Sequence, residues 1–487
     1  TDGKWIKYEQ GSDYNILRDS LQGYYTGWCT AAGENFAKDQ LAGGDFYVYY
    51  SLDKNGEAKV PRIAIRMDGK DKIGEIRGIA DNQNMEPEMM SILEEKLKEF
   101  PDRDKYLKKE NDMKLLTLID KKVNNNIELN LGELKFLYEI DDKISVFGFM
   151  EDPRIKEIKS KRNIKRDYSI IFNIKEEDVA LSQEEWKQNP NKFKILDSDL
   201  YLWHLVKPNG LVLPHHISGS LFLDGLYNAE RLILPKSIGN TLSLEGLSTV
   251  EGVVLPQKIG NLDLSGIISP KGLILPRHID GSLYLDNLTS VEGLVLPQCV
   301  GGNLNLHGLT SAKDLVLPQS VGGDLNLGNL TSADGLVLPQ SIGGNLNLSS
   351  LHNAEGLVLP QSVGGDLYLW SLTSADGLVL PQSVGGILDL TNLTSAKGLV
   401  LPQNIGGILY LNNLASAKGL VLHQNFSGSL YLNNLTSADG LVLPYDFDLN
   451  KLICPSYIKN EILQNPDKYF RKPPSEEENI SIHHKLS

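Results

Sequence analysis

DGLVLPQSIGGNLNLSSLHNA, residues 334–354, is the stretch that decides the fold. Its Leu-Val/Ile-Leu-Pro mark recurs, with small variations, at Pro214, Pro235, Pro256, Pro276, Pro297, Pro318, Pro339, Pro360, Pro381, Pro402 and Pro444, and His423 fills the slot between the last two. That is a period of 21 residues over twelve marks. The single 20-residue interval loses a residue in the turn at Gly260 and leaves the apolar segments on both sides intact. A regular period in this range means stacked coils, none of which buries its apolar face alone.

Within this copy Leu336, Leu338, Ile342, Leu346, Leu348, Leu351 and Ala354 are the regular apolar positions. Leu-x-Leu occurs twice, and a period of two is strand spacing. The spacing predicts two short strands per coil, 335–338 and 345–348, with the leucines of each pointing inward. Pro339 ends the first strand because it has no N–H for a ladder. Gly343-Gly344 makes the turn into the second. The Thr-Ser-Ala segment that returns the chain is too short for a helix. The expected fold class is an α+β N-terminal domain followed by a parallel β-solenoid. At roughly 4.8 Å per coil, twelve coils span about 50–60 Å.

Two outward rows follow from this register. The central residue of the second strand runs Tyr201, Phe222, Ser243, Asp263, Tyr284, Asn305, Asn326, Asn347, Tyr368, Asp389, Tyr410, Tyr431, with Trp203 and Trp370 two positions further on. Aromatic area beside adaptable hydrogen-bonding groups is the chemistry of a recognition surface. Tyr201, Trp203, Phe222, Tyr284, Tyr368, Trp370, Asp389, Tyr410 and Tyr431 are therefore the candidate binding residues, for a protein or glycan ligand. The bland reading is that tyrosine suits strands and that asparagines stack. The central residue of the first strand is instead Val or Ile at all twelve positions, from Val212 through Val337 to Val442. Left exposed, such a row exceeds the few hundred Å² usual for a monomer. Packing within a flattened coil is the simpler expectation, and self-association through the row is the sharper one.

The repeat resembles leucine-rich repeats, above all the short I-x-I-P-x-S-V type of bacterial surface proteins. Leu315-Val316-Leu317-Pro318-Gln319-Ser320-Val321 carries the likeness. It departs in period, which is about 23 residues there. It also has Gly-Gly and a second Leu-x-Leu in place of the Ala-Phe and terminal Cys elements. The resemblance covers about half the chain and implies a bacterial protein engaged in adhesion or protein recognition.

Outside the repeat the construction changes. Residues 201–450 hold 27 charged residues, and the other 237 hold 83. The expected division is an α+β domain at 1–190, the solenoid at 191–445, and a C-terminal cap and disordered tail at 446–487. In the first part, 1–22 reads as weakly helical and 28–41 as a helix closed at Gly43-Gly44. FYVYYSL at 46–52 reads as a strand, and 60–67 and 72–80 as two more, joined through turns at Asn55-Gly56 and Gly69. Helices are expected at 87–100, 105–122, 131–140 and 183–192, and a strand at 168–172. Residues 186–200 and an apolar set from Leu452 to Leu463 are expected to cap the solenoid ends. The segment around Trp28-Cys29, with the following strands, resembles a core segment of PcfJ-like proteins of mobile elements. That likeness spans about 60 residues and brings no functional residues with it.

Chemistry is sparse. Cys29 is the one nucleophile candidate, but the first histidine is His204, so the N-terminal domain holds no Cys-His pair. Arg62, Arg66, Arg77 and Asp81 lie on or just after the strands as a possible polar pocket, or as plain solvent-facing residues. Gly43-Gly44 lacks the Lys-Ser/Thr of a phosphate loop. His483-His484 lacks a third metal ligand. No catalytic residue, metal site or cofactor is expected. The alternatives to a recognition module are an N-terminal enzyme domain targeted by the solenoid and a self-associating structural protein.

The net charge of −14 speaks against nucleic acid and anionic membranes as partners. No apolar run nears the roughly 20 residues of a membrane span. Three widely spaced cysteines favour a reducing compartment. Thr1 at the start points to a fragment or processed form, which leaves the location open.

Overall fold

The computed structural model describes residues 2–24, 34–70, 72–79, 85–147, 151–208 and 210–472. They form two compact units, Thr1–Arg162 and Asn163–Ser487.

In the first unit β2 (Phe46–Leu52), β3 (Ala58–Asp68) and β4 (Lys72–Gly78) make the expected antiparallel meander. A strand the pattern did not announce, β1 (Gly3–Tyr8), joins its edge, with Gly3 opposite Ser51 and Tyr8 opposite Phe46. Its GKWIKY sequence carries two lysines and buries only Tyr8 fully, so alternation is weak. Tertiary pairing makes it a strand where propensity does not. The alternation of β2 then divides two cores. Phe46, Val48 and Tyr50 pack with Leu17 and Leu21 of helix α1 (Tyr14–Leu21) and with Leu41 of helix α2 (Glu34–Gly43). Tyr49, with Ile63 and Ile65 of β3, packs on Leu93 and Leu97 of helix α3 (Met90–Leu97). Helices α4 (Arg103–Asn124) and α5 (Leu131–Leu137) follow as expected. Residues 25–33, with Cys29 and most of the expected helix start, and Asp81 lie outside the described residues.

The second unit opens with a correction. Residues 168–172 are the end of a helix, Ile164–Phe172, not a strand. Asn163 caps it, its side chain accepting from the Arg166 N–H, and Tyr168 and Ile171 turn one face inward. That local cap and the three-residue spacing decide against the β propensity of Tyr, Ile and Phe. Short strands at Val179–Ala180 and Ile195–Leu196 then pair in parallel, and the second of them pairs in parallel with His216–Ile217 of the first full coil. Trp186, buried between them in sequence, plugs this end of the solenoid core. At the far end Leu452–Ile453 adds a last parallel strand, and Ile458 and Ile462 of helix Ser456–Gln464 cover it. Tyr457 and Leu463, expected in that lid, face solvent.

The solenoid itself has two strands per coil, but the first is displaced. It is Ser341–Ile342, not 335–338. Gly335 has a left-handed φ of +75°, and the Leu336 N–H is spent on a local turn to the Ala333 carbonyl at 3.0 Å. Pro339 offers no N–H. The Leu-Val-Leu-Pro segment is extended but cannot ladder, so pairing begins at the next residues, where Ile342 meets Val321 and Val363 of the coils on either side. The second strand falls where expected, Leu346–Asn347, in register with Leu325 and Leu367. Between the strands the coils touch backbone to backbone. A Cβ on Gly343 would lie 2.1 Å from the Gly322 carbonyl oxygen, so only glycine fits. The 20-residue interval is absorbed in this turn, since Ile238 still pairs with Ile259 and Leu242 with Leu262.

Leu336, Ile342, Leu346, Leu348, Leu351 and Ala354 are all buried, in one apolar column that runs the length of the solenoid; Leu338 is half-buried against it. The Val/Ile row is not part of that column. From Ile233 to Val400 every member is 74–79% exposed. This overturns packing within a flattened coil: without a ladder to hold a second sheet over it, the middle residue of an extended segment whose neighbours point inward must point out.

Candidate functional site

The second-strand row is a surface fixed by parallel strands one coil apart. Its aromatic members do not stand singly. Tyr201 lies 5.0 Å from Phe222, ring to ring and nearly parallel, and 5.0 Å from Trp203. Tyr368 meets Trp370 edge to face at 5.9 Å. Tyr410 and Tyr431, opposite one another in adjacent coils, are 4.7 Å apart. Trp203 and Trp370 are the most open, at 52% and 42% exposed. Tyr284 is half-buried with no such aromatic neighbour in its row, since Asp263 and Asn305 flank it.

The two Tyr-Trp pairs come from one motif used twice, Asp199-Leu-Tyr201-Leu-Trp203 and Asp366-Leu-Tyr368-Leu-Trp370. In both the tyrosine hydroxyl donates to the aspartate two residues earlier, at 3.1 Å for Asp199 and 2.7 Å for Asp366. That bond holds each ring against the strand. The hydrogen bond to Asp366, then burial, pushes the Tyr368 hydroxyl up to about 12. Asp199 raises Tyr201 in the same direction. The motifs are eight coils apart, roughly 38 Å at one strand spacing per coil.

The polar members of the row are engaged. Asn326 and Asn347 each accept, through Oδ1, the backbone N–H two residues on, at 3.0 Å. Asp389 does the same for Thr391 and also takes its hydroxyl at 2.6 Å. These side chains close the turn after the strand. Asp263 and Asp286 bracket the Ser265 hydroxyl at 2.6 and 2.9 Å, and Asn305 donates to Asp286. The candidate residues thus fall into an aromatic set that offers surface and a carboxylate, Asp389, that shapes the strand end.

A second polar ladder was not expected. The residue after Gly-Gly accepts from the backbone of the next coil. Asn303 Oδ1 takes the Asp324 N–H at 2.8 Å, Asp324 that of Asn345 at 2.7 Å, Asn345 that of Asp366 at 2.7 Å, and Asp366 that of Ile387 at 2.6 Å. The signal was present as Asn or Asp directly after Gly-Gly in four successive coils, at 303, 324, 345 and 366. It is recognisable as a ladder only once the coils are stacked.

Among the described residues the first unit offers no comparable constellation. Arg62 pairs with Glu86 and Glu88 at the start of the helical segment after the sheet, and Arg66 with Asp68 and Arg77 with Glu75 on the sheet itself, so each of the three has a carboxylate partner. Residues 154–166 hold seven Lys or Arg, and of these Arg154 pairs with Asp152, Lys161 with Glu157 and Lys165 with Glu185. Among the described residues no group of three or more His, Cys, Asp or Glu is placed to hold a metal, and no helix is long and apolar enough to cross a membrane. No protein-family model, curated protein or solved structure matches the chain.

Proposed function

We propose that the solenoid is a recognition module that presents its second-strand face to a protein or glycan ligand, with the N-terminal unit as an accessory or effector. The observation that carries this reading is the doubled Asp-Leu-Tyr-Leu-Trp cluster. At both places a tyrosine locked by an aspartate sets an open tryptophan beside it on a rigid strand. Rigid aromatic groups contribute contact area with little side-chain entropy left to lose on binding. The half-buried Tyr284, Tyr410 and Tyr431 extend the same face.

The test is a screen of the full chain against a glycan array and by affinity capture, followed by Tyr368→Ala with Trp370→Ala. Anchors of this kind cost about 2 kcal/mol or more on truncation, so the double variant should lose roughly thirtyfold or more in affinity. Val337→Ala, on the other row, should bind as the wild type does. Unchanged binding by the Tyr368/Trp370 variant sinks the reading.

A further inference from the structure

We propose that the Val/Ile row is an interface between two copies of this chain. They pack face to face about a two-fold axis that crosses the row between the Val316 and Val337 coils, with the two solenoids antiparallel. Area is the first argument. Nine consecutive side chains are each about three-quarters exposed. With their flanks they offer on the order of 1,000 Å² per copy, against the roughly 800 Å² per partner of a standard interface. One side of the row suits burial at such a centre. Three residues after the branched residue stands an uncharged stripe, Gln298, Gln319, Gln340, Gln361, Gln382 and Gln403, all exposed.

Charge identifies the occupant. Of the 27 charged residues within 201–450, eleven stand in one exposed row, three residues before the Val or Ile, from Glu230 to Asp439. A two-fold axis parallel to the Leu-Val-Leu-Pro segments lays this row on itself in reverse coil order. Centred as proposed, it sets Glu230 against Lys418, Glu251 against Lys397, Lys271 against Asp376, and Lys313 against Asp334. One like pair remains, Glu292 against Glu355. The two charges one residue nearer the ridge, Arg231 and Asp314, face Gly419 and Gly335.

Other registers lose this match. A shift of one coil in one direction puts Lys313 against its own copy, Glu251 against Asp376 and Glu292 against Asp334. The opposite shift puts Asp334 against its copy, Lys271 against Lys397 and Glu292 against Asp376. A parallel pairing of the solenoids opposes the charged row to the glutamines and uses none of it. An isologous contact in which the apolar row meets itself and its rim pairs by charge is the ordinary design of a symmetric dimer.

The test is sedimentation of the full chain over roughly 1–100 μM, where an interface of standard size is populated. A dimer is expected. Val316→Glu with Val337→Glu places four carboxylates at the centre and should weaken it at least about a hundredfold. Asp334→Lys should weaken it about threefold to tenfold, as exposed charge pairs do, and adding Lys313→Asp should restore it. All four positions are exposed, so the fold should persist, as a melting curve will show. If the glutamate pair unfolds the chain, the charge swap decides alone. A wild type that stays monomeric, a dimer indifferent to the glutamates, or an Asp334→Lys defect not rescued by Lys313→Asp overturns the proposal.

Discussion

Leu346 and Val337 stand in rows with the same period, both apolar in every coil, yet Leu346 is fully buried and Val337 is 74% exposed. The backbone separates them. Leu346 lies in a strand that ladders with both neighbouring coils, whereas Val337 follows a left-handed glycine and precedes a proline, in a segment held by a turn. Repetition at a position shows that each coil gives it the same surroundings. It does not show that those surroundings are the interior. The variable row teaches the converse, because the asparagines at 326 and 347 and the aspartate at 389 differ in identity and charge but do the same turn-closing work.

The largest effect that tests this contrast is on stability. Leu346→Ala leaves a cavity in a column with no slack and should cost about 2–5 kcal/mol in urea unfolding. Val337→Ala, measured at a concentration where the chain is monomeric, should stay within about 0.5 kcal/mol. Equal costs would mean that the valine row is part of the core after all. A smaller effect separates the coil-to-coil ladder bond from the tyrosine bond at the same aspartate. Asp366→Ala removes the acceptor of both the Ile387 N–H and the Tyr368 hydroxyl, and should cost about 1–3 kcal/mol. Tyr368→Phe gives up only the second bond, at about 0.5–1.5 kcal/mol. If the two variants are equally stable, the coil-to-coil ladder contributes nothing.

How much of this was legible in the sequence depends on whether the cause is local. The period, the inward leucines and the second strand could be read because each is set within one coil. The first strand could not be placed, because it depends on which N–H groups the turn at Gly335 and the proline leave free for the next coil. The same holds for the ladder from Asn303 to Asp366, whose bonds span 21 residues, and for β1, which is a strand only against β2. The aromatic candidates were visible as a row. Their grouping into two locked pairs was visible only as a repeated five-residue motif, and the bond that locks them needed the strand geometry.

The finest distinction between the rows is electrical. The valine row has nothing to titrate, while Tyr368 is held protonated, its hydroxyl raised to about 12 chiefly by the bond to Asp366. An unperturbed tyrosine ionises near pH ~10. The fold therefore favours the protonated side chain, and its contribution to stability is complete below about pH 10 and falls away as pH rises toward about 12. A difference titration of wild type against Tyr368→Phe, followed by phenolate absorbance, should show one late-ionising group. Asp366→Asn should bring that group down toward the ordinary value, because an amide accepts the bond less strongly than a carboxylate does. A Tyr368 that ionises with the bulk of the tyrosines would mean that the aspartate does not lock the ring. The aromatic face would then lose the rigidity on which its proposed role in recognition depends.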